Sequence, residues 1–201
     1  MQNDADRAVA DILLADDEFL ALVGKLALLF SCIEDSLVHD FRELNRIIDN
    51  EPRMSPASQL EQLRILEKRD CLKRVVADIG HFYDVDCTEV RRLLDELGNL
   101  NRLRRSVVHG WIRWSKDEEK PIFIDSHGNS LPAWHQDIAE LNIRVLNWQT
   151  AYYEAQATLG SQVLRAYNGF ADRLLQRPNL PLEIVNLVRR LKTADDDDAL
   201  D

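Results

Sequence analysis

Two stretches of this chain carry an apolar residue every three or four positions over more than twenty-five residues, which only a helix can satisfy. In the first, about 16–49, the series is Phe19, Val23, Leu26, Phe30, Ile33, Leu37, Phe41 and Leu44. In the second, about 133–176, it is Ile138, Leu141, Val145, Trp148, Tyr152, Ala155, Leu159, Ala166, Phe170 and Leu174. At 1.5 Å per residue the first helix alone would be about 50 Å long. An apolar stripe of that length must be covered by other helices, so the expected fold is an all-α antiparallel bundle of four to five main helices. Only 7 Gly and 6 Pro in 201 residues agree with long regular elements.

Shorter elements fill the interval. Residues 4–14 suit a short extra helix. Ser55 and Pro56 are a start signal, the hydroxyl capping free amides and the proline suiting the first helical position. The helix that follows is expected to run unbroken to about Tyr83, with Leu60, Leu63, Leu66, Val75, Ile79 and Phe82 inward. Asp86 and Glu89 have capping-box spacing and open a third helix with Val90, Leu93, Leu94, Leu97, Asn101 and Val108 inward. Gly110 stands where a left-handed C-cap is expected.

Past Gly110 the pattern shortens. Residues 111–114 and 121–124 are aromatic or branched and flank a charged loop, which predicts a small β-hairpin insertion at about 111–125, its Trp111 and Trp114 packed on the bundle. His127 to Asn129 reads as a turn. Pro178 and Pro181 end the long final helix, which has the stripe for its own bundle or for a dimer seam, and 182–191 suits a last short helix. Residues 1–192 thus read as one domain. Asp195, Asp196, Asp197, Asp198 and Asp201 make 193–201 an acidic tail expected to be disordered.

Charge and cysteine usage narrow the function classes. The formal net charge is −10, half of it in that tail. The longest apolar stretch, 19–33, contains Lys25 and is too short to span a membrane. With no signal-peptide pattern, and with Cys32, Cys71 and Cys87 scattered, a cytoplasmic protein with reduced thiols is expected. His39, His81, His127 and His135 sit on different elements and make no metal spacing, and no phosphate-cradling glycine loop is present; no metal and no cofactor is expected.

Chemistry concentrates in residues 101–113. Arg102, Arg104, Arg105 and Arg113 fall within twelve residues that hold no acid, and His109 lies at the predicted helix end. Arg102, Arg105 and His109 share one helical face. Arg104 falls among the inward residues, where a guanidinium needs a partner.

Residues Arg104, Arg105, Ser106, Val107, Val108, His109 and Gly110 resemble the Arg-x(4–6)-His signature of HEPN domains, and Phe30, Ser31, Cys32, Ile33 and Glu34 resemble the first-helix pattern of bacterial members. The signature fits Arg104 with four intervening residues and Arg102 with six. A polar residue after Arg104 and its inward position favour Arg104; helical facing favours Arg102. Arg105 stands where the family often has Asn or Asp.

The resemblance implies a metal-independent endoribonuclease, a homodimer whose two Arg/His motifs meet in a shared cleft. In bacteria it implies a toxin or phage-defence effector with RNA as substrate and an antitoxin protein as partner. Arg104 and His109 would be catalytic, with Arg102, Arg105, Ser106, Arg113 and Glu34 supporting RNA binding. Histidine titrates near neutrality and serves as acid or base, and arginine matches phosphate oxygens with paired donors. The residues alone leave other roles open. His109 suits a helix cap, Glu34 a structural salt bridge, and Ser106 a bond to its own backbone. The whole chain also suits a non-catalytic helical interaction or RNA-binding module.

Overall fold

Helix α2 (Asp17–Ile48) is the element on which the others pack. In this computed structural model, residues 4–48, 57–117, 119–126, 128, 130–176, 181, 182, 184–186, 188 and 189 are described. The order is α1 (Asp4–Leu14), α2, α3 (Ala57–Gln62), α4 (Ile65–Tyr83), α5 (Thr88–His109), β1 (Trp111–Ser115), β2 (Lys120–Ile124), β3 (Ser130–Pro132) and α6 (His135–Leu175). The protein is mostly helical, with a small antiparallel sheet inserted after α5. The expected break at 50–56, the Ser55–Pro56 start, His127, Asn129, Pro178 and the acidic tail lie outside the described residues.

The stripes read from the sequence make the core. Phe19, Leu26, Phe30, Ile33, Leu37 and Phe41 of α2 are buried against Leu72, Val75, Val76 and Ile79 of α4 and Ile138, Leu141, Val145, Trp148 and Tyr152 of α6. Polar bonds set how the helices lie. Asp16 pairs with His135 (3.0 Å), Asn142 Nδ2 donates to the Leu22 carbonyl (3.1 Å), and the Tyr152 hydroxyl donates to Asp40 (3.1 Å). These partners climb α2 and α6 together, so the two long helices run parallel, not antiparallel as expected. The Lys68–Glu34 pair (3.3 Å) and the Tyr83 hydroxyl on the Ile47 carbonyl (3.0 Å) make α4 parallel to α2 as well. The down-going pass is α5, whose Asp95 meets Lys73 and whose Leu93 carbonyl accepts from the Trp148 indole (2.8 Å). It returns the chain to the α2 start, where the sheet hands it to α6.

Several local expectations are corrected. The second helix is two: at 63–64 the Leu63 amide takes the Leu60 carbonyl, Arg64 is extended, and its amide donates to Glu67 (2.7 Å), which starts α4. Leu60, Leu63 and Leu66 keep helical spacing across this break, which hid it. Asp86 caps the Thr88 amide (2.9 Å), but Glu89 turns outward to Arg92 instead of closing a capping box. Phe82 and Phe170 are exposed, because α4 and α6 end beyond the packed part of the bundle, where Ala171 and not Phe170 faces inward. On α5 it is Leu100 and Val107 that are buried, while Val108 is only half-buried.

The insertion is a three-stranded sheet in the order β1-β2-β3, one strand more than the hairpin expected. Trp111 and Trp114 are exposed rather than packed on the bundle; the side chains that anchor the sheet are Ile112 and Phe123, which pair across β1 and β2. Phe123 stacks on Phe19 at 6.0 Å between centroids. Alternation puts Trp111 on the face opposite Ile112; Trp114 has the parity of Ile112 but lies near the end of β1 and stays 39% exposed.

Gly110 is extended (φ −76°, ψ 166°), not left-handed. Its amide donates to the Ser106 carbonyl (2.9 Å), and a Cβ would collide with that oxygen and stand 3.1 Å from the Ile124 carbonyl. Glycine is needed here for close backbone approach, where α5 turns directly into β1.

Candidate functional site: the end of helix α5

The inner face of α5 is buried along most of its length. Leu93, Leu94, Leu97, Leu100 and Val107 are buried in the core. With that face fixed, Arg102, Arg105 and His109, at spacings of three and four, are turned outward together. They line a cavity of about 490 Å³ with Gly98, Asn101 and Leu66. Asp125 and Ser126, just after β2, close its far side.

The two guanidiniums and the imidazole make no hydrogen bond or ion pair with another described residue. Several other cations of the bundle are spoken for: Arg42 by Glu61, Lys73 by Asp95, Arg92 by Glu89 and Glu96. Arginines with unused paired donors beside an imidazole suit an anion with several oxygens. At the inner wall, Asn101 is only 4% exposed and its Oδ1 has no partner. Arg69, tied to Asp70 (2.6 Å), leans across Gly98; a Cβ there would meet its Nη1 at 2.6 Å.

Arg104 lies elsewhere. Its guanidinium carbon sits over the Phe30 ring, 5.8 Å from the centroid, and its buried Nε has no hydrogen-bond partner. It does not line the cavity that His109 lines. Glu34 pairs with the buried Lys68, not with an arginine of α5. Ser106 is buried and its hydroxyl donates to the Arg102 carbonyl (3.3 Å), a bond to its own helix. Arg113 lines a different, apolar cavity of about 580 Å³ on the other side of the α5 end, beside Phe19, Val107, Trp111 and Phe123.

Sequence reading missed Gly98, Asn101 and Arg69 as neighbours of the site. A glycine inside a helix of good helix formers was the available signal. It also missed the buried Asp40. Burial raises its carboxyl above the ordinary range, against the opposing hydrogen bonds from Tyr152 and Gln156 and the charge of His39. The three cysteines are free thiols. Among the described residues there is no cluster of His, Cys, Asp and Glu able to hold a metal, and no helix long and apolar enough to cross a membrane. Comparison with protein families, curated proteins and solved structures finds no match.

Proposed function

We propose that this protein is a metal-independent endoribonuclease of the HEPN type, working at the α5 cavity. The observation that carries the reading is the convergence of the Arg102, Arg105 and His109 side chains, all three without a partner among the described residues, on one opening. In this reading His109 takes the proton from a ribose 2′-hydroxyl as its oxygen bonds to phosphorus. Arg102 and Arg105 hold the phosphate oxygens as charge develops on them. The bond from phosphorus to the 5′-oxygen breaks, and that oxygen takes a proton from the imidazolium of His109 of the partner subunit. Arg104 keeps α5 seated on α2, and the arginine with six intervening residues, Arg102, is the phosphate contact.

The chemistry needs two copies. A second exposed stripe on α6 supports a homodimer: Ile143, Leu146, Tyr153 and Leu164 are all exposed at spacings of three, seven and eleven, a coiled-coil period. As a toxin or phage-defence effector in the cytoplasm, the dimer would be restrained by an antitoxin protein. Cleavage of structured RNA in the presence of EDTA tests the reading, with His109→Ala protein as the control that must lose activity.

The same α6 stripe favours a second reading, a non-catalytic helical module that binds RNA or protein through its dimer. It predicts RNA bound and released intact.

A further inference from the structure

The opposite end of α5 lies about 30 Å from His109, at 1.5 Å per residue. There the last turn of α4 and the outer end of α6 enclose another cavity, of about 600 Å³. Four aromatic rings border it: Phe82, Tyr83, Tyr167 and Phe170. Phe82 is 69% and Phe170 56% exposed. Phe82 meets Tyr83 edge-on at 5.0 Å, and the Tyr83 hydroxyl is tied to the Ile47 carbonyl, so the wall behind Phe82 is fixed.

The floor is one stripe of α6. Arg165, Gly169 and Arg173 follow each other four residues apart, so the two arginines start about 12 Å apart along the helix. Gly169 leaves the space between them bare; a Cβ there would meet only the Arg173 guanidinium, at 4.0 Å. Arg173 makes no ion pair among the described residues, and Arg165 spends one donor, its Nε, on the Ser161 carbonyl (3.2 Å). Among the described residues the single acid lining the cavity is Asp84, held in the left-handed conformation that ends α4.

We propose that this groove binds single-stranded nucleic acid, its bases stacked on Phe82 and Phe170 and its phosphates held by Arg165 and Arg173. Exposed aromatic faces beside arginines that make no ion pair among the described residues are what a strand of stacked bases and phosphates complements. An acidic peptide would complement the arginines but gives no reason for a bare glycine floor beside flat rings. The inference uses no residue of the His109 site and does not depend on cleavage there.

The test is fluorescence anisotropy of a short labelled oligoadenylate with the full chain, in wild-type and His109→Ala protein alike. Binding is expected in both. Phe82→Ala and Phe170→Ala should each weaken it about tenfold, and Arg165→Gln with Arg173→Gln should flatten a log–log salt slope by about 1.4. All four side chains are on the surface, and thermal melting verifies that each variant is folded. The proposal is overturned by no binding, by binding that Arg102→Gln and Arg105→Gln abolish while the groove variants keep it, or by an acidic peptide that competes fully while the ring variants change nothing.

Discussion

The guanidinium of Arg104 lies over the ring of Phe30, 5.8 Å from its centroid, with no carboxylate bound to it among the described residues. One residue thus comes from each of the two stretches that resemble the HEPN pattern, and they meet as a packing contact. The cost of turning a guanidinium inward is met by an aromatic face and by its aliphatic stem. Arg104→Met should therefore change stability by less than about 1 kcal/mol. Denaturant unfolding measures it, and a loss of several kcal/mol would mean that Arg104 has a buried ionic partner. In RNA cleavage Arg104→Met should cost less than Arg102→Gln.

Buried Asp40 predicts a pH signature. Its folded carboxyl titrates above the ordinary aspartate range because burial disfavours the charge. A raised acid is a stability cost at neutral pH that is relieved as pH falls toward the ordinary carboxylate value. The Tm difference between Asp40→Asn and wild type should therefore move in favour of wild type as the pH is lowered from 7 to 4. A difference that moves toward Asp40→Asn over that range contradicts this. Tyr152→Phe removes a hydrogen-bond donor from the same carboxylate and should cost about 1–3 kcal/mol.

Gly110→Ala should destabilise the protein by about 1–3 kcal/mol, because its Cβ would collide with the Ser106 carbonyl, an atom of the helix backbone. The collision is one residue from His109, so RNA cleavage should fall more than the population of folded protein does. Urea unfolding and activity on the same sample separate the two effects.

Leu146→Glu and Leu164→Glu put charges into the exposed α6 stripe, away from the core. Sedimentation should show the dimer shifting to monomer, with far-UV CD unchanged. Wild type that sediments only as monomer would leave the two-copy chemistry without its second imidazole.

The long helices were legible because Phe19, Phe30, Leu37, Val145 and Tyr152 repeat without interruption. What escaped was tertiary. Nothing local says that α2 and α6 run parallel; that follows from α5 returning the chain before the sheet. Lys68 and Asp40 have the side chains of surface residues, and partners distant in sequence, Glu34 for Lys68 and Tyr152 for Asp40, 34 and 112 residues away, help make their burial tolerable. Of the two tryptophans of the sheet, Trp111 is turned outward by strand parity with Ile112, whereas Trp114 shares the parity of Ile112 and its exposure follows from its place near the end of β1. At the site, the shared face of Arg102, Arg105 and His109 followed from helical spacing. The Asn101 wall and the lean of Arg69 over Gly98 did not, since they depend on how α4 crosses α5.

The most direct measurement is cleavage of a structured RNA in EDTA by wild-type, His109→Ala, Arg102→Gln and Arg105→Gln proteins of equal stability. The account predicts cleavage by wild type, a loss of about 10²–10⁴-fold for His109→Ala, and reduced rates for both arginine variants. Wild-type and His109→Ala proteins that leave the same background would contradict it.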